Sequence, residues 1–542
     1  MPPSNPFPEK GIDPLAPIEQ LTRWLASGAL HGFLGLILGA IAARLMRSRH
    51  VHWTWAAAAL ALVVLASGHP AGTSVTLAVA CLSASIWGRR WHREDIDAGG
   101  DLAEIAAARN RPLDALRLAV MIARLRLASA LGYERRHRDG ELLLGRDECR
   151  RTVSIPFDGD TGGRHTLVVG ATGSGKTTTQ ASMVIQAIQR GMGAVILDPK
   201  GDSGMRERAR SAAQAAGRPF FEWTPDGCCV YNPYARGSET EIADKVLAGE
   251  RFTEPHYLRQ SQRYLGHAVR ALRRCGLEVS LQLIVEQLDP ATLELLVRSL
   301  PESQAKPTHA YLDSMTVRQR SDLAGVRDRL AILAESDIGQ WLDPRTAGAQ
   351  RLDLLAATRA RAVVYFSLES DSRPLLTQML GAAIVQDLQT VVAALQGRPE
   401  PTLVVIDEFS AIAAEQIVRL FGRARSAGFS LLLGTQELSD LRLPGRERLL
   451  EQVMGNLSAL IAHRQVVPSS AELISSVAGE EGAWKVSSHS DGRTTRTRTR
   501  KPVLDPGQVM RLGQGWAAVL VLDRQGPATI TRMHSLHRKD ER

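Results

Sequence analysis

Cysteine is scarce in this chain: five residues in 542, namely Cys81, Cys149, Cys228, Cys229 and Cys275. They are odd in number and form no C-x-x-C pair, which argues against a disulfide framework or a zinc site and suits a reducing compartment. Aromatic residues are also few, at 5%. No internal repeat and no long low-complexity tail is present. With 44% hydrophobic and 23% charged residues the composition is that of an ordered protein, and the length allows two or three domains.

Charge is missing altogether from two stretches. Trp24 to Ala43 contains no Lys, Arg, Asp or Glu, close to the twenty or so residues that cross a hydrocarbon core. A second charge-free run extends from His50 to Gly88, and 68-GHPAG-72 interrupts it, giving segments of about Trp53 to Ser67 and Thr73 to Trp87. Arginines follow each stretch, at Arg44, Arg47 and Arg49 and at Arg89, Arg90 and Arg93. Cytoplasmic placement of both clusters requires three spans with the N-terminus outside; two spans would strand the first cluster. Residues 1–93 are therefore expected to form a membrane region of two to three helices. Buried core helices are the alternative, disfavoured because no polar face covers them.

Positive charge is the excess sign, +9 overall. Residues 485–542 alone carry twelve Lys and Arg against five Asp and Glu, including 493-RTTRTRTRK-501. In an extended segment such alternation lines arginines along one side, a track for phosphates; a charged edge strand that resists aggregation reads equally well. No aromatic residue is interleaved within it, so base stacking is not indicated.

What is abundant is the signature 165-HTLVVGATGSGKTTTQ-180. An apolar run, Leu167 to Val169, precedes a segment that meets G-x-x-x-x-G-K-[ST] at every fixed position. The predicted phosphate cradle is Gly170, Ala171, Thr172, Gly173, Ser174, Gly175, Lys176, Thr177 and Thr178. Gly173 and Gly175 turn the backbone amides inward, Lys176 reaches the β and γ oxygens, and Thr177 supplies a hydroxyl to Mg²⁺. Gln180 to Gln189 continues as a helix whose positive end faces the anion.

Hydrolysis also needs a carboxylate at the end of a second buried strand. The segment 402-TLVVIDEFSAI-412 supplies Asp407 to orient the metal and Glu408 to polarise water. In 422-GRARSAGFSLLLGTQ-436, Gln436 at a strand tip is placed to sense the γ-phosphate. An arginine before that strand, Arg425 or its rival Arg423, is a candidate finger from a neighbouring subunit; the alternative is a solvated helix face.

Alternation of helix and strand around the P-loop predicts an α/β fold, a parallel sheet flanked by helices. Between Pro233 and Leu352 the pattern becomes helical, as in 256-HYLRQSQRYLGHAVRALRRCG-276 and 317-VRQRSDLAGVRDRLAILAE-335. The expected organisation is a membrane region (1–93), a connector (94–160) with an amphipathic period through 113–132, an ATPase domain (161–232 and 353–525), an inserted all-α domain (233–352) and a short basic tail (526–542).

In their order, RHTLVVGATGSGKTTT, AVILDPKGD, VVYFSLES, VVIDEFSAI and GRARSAGFSLLLGTQ resemble the TraG/TraD type of conjugative coupling protein, within the FtsK/HerA-like P-loop motors. The resemblance covers roughly residues 140 to 525. It implies a RecA-like fold using ATP and Mg²⁺, a homo-hexameric ring in the bacterial inner membrane with its ATPase domain in the cytoplasm, and transfer of single-stranded DNA with a bound relaxase to a type IV secretion channel. By motif, Lys176, Glu408, Arg425 and Gln436 would act in catalysis, and Thr177 and Asp407 would hold the metal. Two departures are three spans where two are typical, and the want of a long acidic C-terminal extension. Other readings of the same residues are an FtsK-like double-stranded DNA translocase, an ATPase for protein-only export and a receptor that binds ATP without hydrolysis.

Overall fold

The computed structural model describes residues 16–48, 51–66, 72–97, 140–148, 151–157, 163–227, 229–250, 252, 254–412, 414–442, 448–488, 494–523 and 528–534. The chain divides into two compact units, Met1–Glu134 and Arg135–Arg542. The amphipathic period expected over 113–132 lies outside the described residues.

In the first unit α1 (Ala16–Ser48), α2 (Thr54–Ala66) and α3 (Gly72–Asp97) follow one another. Glycines let α1 and α3 approach closely: a Cβ on Gly35 would lie 2.7 Å from Val79 Cβ, and one on Gly39 only 1.8 Å from Ser83 Oγ. Because Gly35 meets Thr76 and Val79 while Gly39 meets Ala80 and Ser83, the two helices run parallel, packed through small residues as membrane helices are. Arg47 lies over the Trp91 ring and Arg89 over the Trp53 ring, so Arg47 and Arg89 come to one end of the unit. Outward-facing residues are apolar, Leu30, Phe33, Leu36, Ile37, Ile41 and Leu45 among them. Of these helices α1 is long and apolar enough to cross a membrane, over Gly28–Arg47; Thr54–Val64 of α2 is apolar but shorter.

The second unit is built on an 11-stranded sheet. In chain order its first strands are β1 (Glu141–Asp147), β2 (Thr152–Pro156), β3 (Thr166–Val169), β4 (Gly193–Asp198) and β5 (Phe220–Trp223). A separate parallel pair, β6 (Cys229–Tyr231) and β7 (Gln350–Leu352), stands at the two ends of the helical insertion. Then come β8 (Val363–Ser367), β9 (Thr402–Ile406), β10 (Phe429–Thr435) and β11 (Ala459–Ala462). The hairpin β12 (Glu480–Ser488) and β13 (Thr494–Pro502) is followed by β14 (Trp516–Val521) and β15 (Thr529–Met533). The sheet order is β2-β1-β15-β14-β11-β3-β10-β9-β4-β8-β5.

From β5 to β11 neighbouring strands are parallel, and from β14 to β2 they are antiparallel. The expectation of a parallel sheet is thus corrected to a mixed one. Residues assigned to the connector (β1, β2) and to the basic tail (β15) are sheet strands. Central strands such as TLVV and TLVVI are buried along their whole length, which continuous apolar runs covered by helices on both faces require. Alternation within each strand feeds two cores: Leu167, Val169 and Leu197 join one, Val168 and Ile196 the other.

Helices from Glu239 to Ala334 occupy the insertion. The apolar helix Pro374–Ala394 has the length and composition of a span, yet 67% of it is buried, as a core helix of this unit. The arginine–threonine segment forms β13 of a two-stranded hairpin, its register pairing Arg498 with Trp484.

A candidate nucleotide site at the strand tips

Register brings the carboxyl ends of the central strands together: Val169 pairs with Thr435 and Ala462, and Leu197 with Ile406. The loops that leave these tips converge, as open α/β sheets require of a ligand site. After β3 the chain is pinned on both sides, with the Gly170 N–H donating to Thr435 O (3.3 Å) and the Ala171 N–H to Arg464 O (3.0 Å). Gly173 (φ +76°) and Gly175 (φ +110°) are left-handed, where a side chain would be strained. A Cβ on Gly170 would lie 2.6 Å from both His463 Cβ and Ser174 Oγ.

The helix α4 (Lys176–Gln189) opens on Gly175 with no side-chain cap. Its first-turn amides are left for an anion. Ser174 Oγ, buried beside them, has no hydrogen-bond partner among the described residues.

Lys176 Nζ lies 2.6 Å from Glu408 Oε1 and 3.1 Å from Asp407 Oδ1. Gln180 Nε2 donates to Asp407 Oδ1 at 3.3 Å, and Lys200 Nζ, from the loop after β4, stands 3.1 Å from Glu408 Oε1. Burial pushes the Glu408 carboxyl up, but the Lys176 and Lys200 charges outweigh it and hold the group below the usual carboxylate range. At the β4 tip the balance reverses. Burial raises the Asp198 carboxyl although Tyr365 OH and three backbone N–H groups donate to it.

Behind the loop His463 Nδ1 meets Trp516 O and Nε2 meets Thr179 Oγ1, each at 3.0 Å. Since a carbonyl only accepts, Nδ1 carries the proton and Nε2 accepts from the threonine hydroxyl. Burial lowers this imidazole to about 4, with the Lys176 charge adding to the effect, so it is neutral near pH 7.

The cleft in front of the loop measures about 240 Å³ and is lined by the P-loop, Asp198, Lys200, Asp202, Asp407, Glu408, Gln436 and Gln514. Among the described residues no group of three His, Cys, Asp or Glu gathers as a metal cage. A divalent ion here would draw on the Thr177 hydroxyl and the Asp407 carboxylate and take its other ligands from nucleotide and water, the arrangement that Mg²⁺ favours. The residues fit such an ion.

The structure therefore unites the predicted P-loop, Asp407, Glu408 and Gln436. It does not bring Arg425 or Arg423 to them. Both are exposed and precede β10, whereas Gln436 follows it, and seven strand residues separate the two ends by about 23 Å. The Arg425 charge acts instead on His165, whose imidazole is lowered by burial first and by that charge second. Lining or supporting residues outside the sequence assignment include Asp198, Lys200, Asp202, His463 and Gln514. Lys200 stands in the DPKGD run at a recognisable strand tip, whereas His463 and Gln514 belong to no motif.

A P-loop between strand and helix, faced by an acidic pair at the tip of a parallel strand, defines a P-loop NTPase. Within that class the chain belongs to the type IV secretion-system coupling proteins, for the family model of the coupling protein DNA-binding domain matches residues 150–531. The type 4 coupling protein DotL of Legionella pneumophila is 21% identical over 410 residues, covering 62% of this chain and 52% of that protein. The chain thus spans about half the length of this relative.

Among solved structures, the unbound conjugative coupling protein TrwBdeltaN70 superposes with a TM-score of 0.55 at 16% identity, over 74% of this chain and 90% of that one. TrwB in complex with ADP and Mg²⁺ gives 0.54 at 18%, over 70% and 87%. TrwB with the non-hydrolysable ATP analogue ADPNP gives 0.53 at 17%, over 73% and 94%. At these identities the likeness is one of fold.

Proposed function

We propose that this protein is a membrane-anchored ATPase that couples ATP hydrolysis to delivery of single-stranded DNA, with a bound relaxase, to a type IV secretion channel. The observation that carries the ATPase part is the P-loop lysine held jointly by Asp407 and Glu408. A P-loop without these carboxylates would bind and not hydrolyse. ATP-bound Mg²⁺ supplies charge neutralisation at the phosphates. Lys176 leaves the carboxylates for the β and γ oxygens, while the amides of Gly173 to Thr178 orient the phosphates. Thr177 and Asp407 would hold the ion, Glu408 accepts a proton from the attacking water, and Gln436 reads the γ-phosphate from the β10 tip. Arg425 serves as a finger only in trans, which favours assembly of several copies, a homo-hexamer by analogy with ring motors.

Membrane anchoring rests on the apolar outer surface of the first unit and on Arg47 and Arg89 at one end of it, which positive-inside placement puts in the cytoplasm with the ATPase. α1 is the span. The three-span, multi-pass arrangement expected from sequence depends on α2 and α3, whose apolar stretches are shorter.

ATP turnover by the full chain in lipid nanodiscs, with and without single-stranded DNA and beside Glu408→Gln, tests the reading. Stimulation by DNA that the variant abolishes is expected. Turnover indifferent to DNA in an assembled ring would favour protein-only export, and absence of turnover would leave a receptor.

A further inference from the structure

We infer that Lys200 is a positioning residue for hydrolysis, which keeps the Glu408 carboxylate aimed at the attacking water once Lys176 has moved to the phosphates. This rests on the ATPase reading above.

The Glu408 Oε1 atom is shared between two ammonium groups from different elements, Lys176 at 2.6 Å and Lys200 at 3.1 Å. Only one of them sits in the phosphate cradle. When a polyphosphate draws Lys176 away, Glu408 is left beside Asp407, with Asp198 and Asp202 also lining the cleft and Asp371 acting on Lys200 from the loop after β8. Like charge on that many sides would swing a free carboxylate outward. Lys200 is the remaining cation within hydrogen-bond reach among the described residues.

Lys200 is itself held. Its backbone N–H donates to Asp198 Oδ1 at 2.9 Å and that of Gly201 to the same oxygen at 3.0 Å, while Asp202 N–H reaches Oδ2 at 2.6 Å. Tyr365 OH donates to Asp198 from β8, and Ser370 N–H donates to Pro199 O at 2.6 Å. The buried Asp198 carboxylate thus acts as a staple for the loop that presents the lysine. On the other side Glu408 adopts φ +45°, an uncommon conformation for a residue with a side chain. That backbone persists where it aims the carboxylate between the two lysines. Both ends of the contact are fixed by backbone geometry, so the pair is a built feature of the cleft.

The test is steady-state ATP turnover and fluorescent-nucleotide binding by the full chain in nanodiscs. Lys200→Met is expected to lower kcat by about tenfold to a hundredfold, the scale of a misplaced catalytic group, with KM and nucleotide affinity within about threefold of the parent. Lys200→Arg should restore most of the rate. In a Glu408→Gln background Lys200→Met should add no further loss, since residues acting through one another are not additive. Lys200→Gln serves if the Met variant fails to fold.

A parallel rise in KM and Kd, an unchanged kcat, or losses that multiply in the double variant would each overturn the inference alone. A parent protein that binds nucleotide without turnover would overturn the ATPase reading and this inference with it.

Discussion

Lys176 and Glu408 lie 232 residues apart in sequence and 2.6 Å apart in space, and the P-loop lysine is held by carboxylates where nucleotide phosphates would otherwise hold it. Removing Lys176 takes away the phosphate anchor but not the fold, because Glu408 retains Lys200. Lys176→Met is therefore expected to weaken ATP binding by at least about tenfold, the loss of a charged contact of ~1.5–3 kcal/mol, with a modest fall in melting temperature in the absence of nucleotide because Asp407 loses its ammonium partner. Titration with a fluorescent analogue measures the first and calorimetry the second.

A second consequence concerns Gly434, inside β10. A Cβ there would lie 2.2 Å from Asp407 Oδ1 and 2.3 Å from Gln180 Nε2. Gly434→Ala must displace the Asp407 carboxylate from the position where it faces the cleft. Nucleotide binding should then lose its dependence on Mg²⁺: affinities measured with the metal and with a chelator, well separated in the parent, converge in the variant. The fold should survive with a cost of about 1–3 kcal/mol, typical of an overpacked position.

The site was legible where the chemistry is local. The P-loop is one contiguous loop with fixed spacing, and Asp407 and Glu408 announce themselves by following a buried strand with four apolar residues in a row, Leu403 to Ile406. What escaped depends on register between distant strands. His463 supports the loop because β11 lies beside β3, and Gln514 reaches the cleft because β14 follows β11 in the sheet. Neither relation leaves a periodic trace in sequence. β1, β2 and β15 read as linkers for a related reason: short strands in the antiparallel end of the sheet, such as TVSIP and TITRM, mix polar and apolar residues. Arg425 shows the converse limit, since nearness in sequence to Gln436 conceals a strand's length between them.

Packing of the helices from Glu239 onward against the sheet-bearing core can be probed through a buried ion pair. Lys245, on the helix Glu239–Val246, donates to Asp387 Oδ1 (2.7 Å), Pro233 O (3.0 Å) and Arg236 O (2.8 Å), which uses all three of its ammonium protons. Asp387, on the core helix Pro374–Ala394, also accepts from Tyr231 OH at 2.8 Å. Lys245→Met would leave Asp387 buried without its cation and should cost about 3–5 kcal/mol, as breaking one side of a buried pair does. Asp387→Asn in the same chain removes the orphaned charge while leaving Tyr231 an acceptor. The double variant should recover at least half of the loss in urea unfolding. Recovery distinguishes an uncompensated charge from a packing defect.

Acid sensitivity follows from His463. Its folded value of about 4 lies below the ordinary 6.5, so between those values the unfolded chain binds more protons than the native one, and stability rises with pH. The neutral imidazole's contribution is fully present above about pH 6.5 and is lost progressively as pH falls toward 4. The gap corresponds to about 3 kcal/mol in full, and about 2 kcal/mol of it is gone by about pH 5. His463→Asn keeps an N–H that can donate to Trp516 O but cannot titrate. Its unfolding free energy should start below that of the parent at about pH 7.5, because Thr179 loses its acceptor, and then decline less steeply toward about pH 5. An identical decline in both proteins would assign the acid sensitivity to other groups, with His165, lowered to about 4 by burial and the Arg425 charge, the next to substitute. Nucleotide affinity should follow the same slope, since Thr179 lies in the first turn of the helix that opens on the P-loop and protonation behind it would disturb the cradle from within.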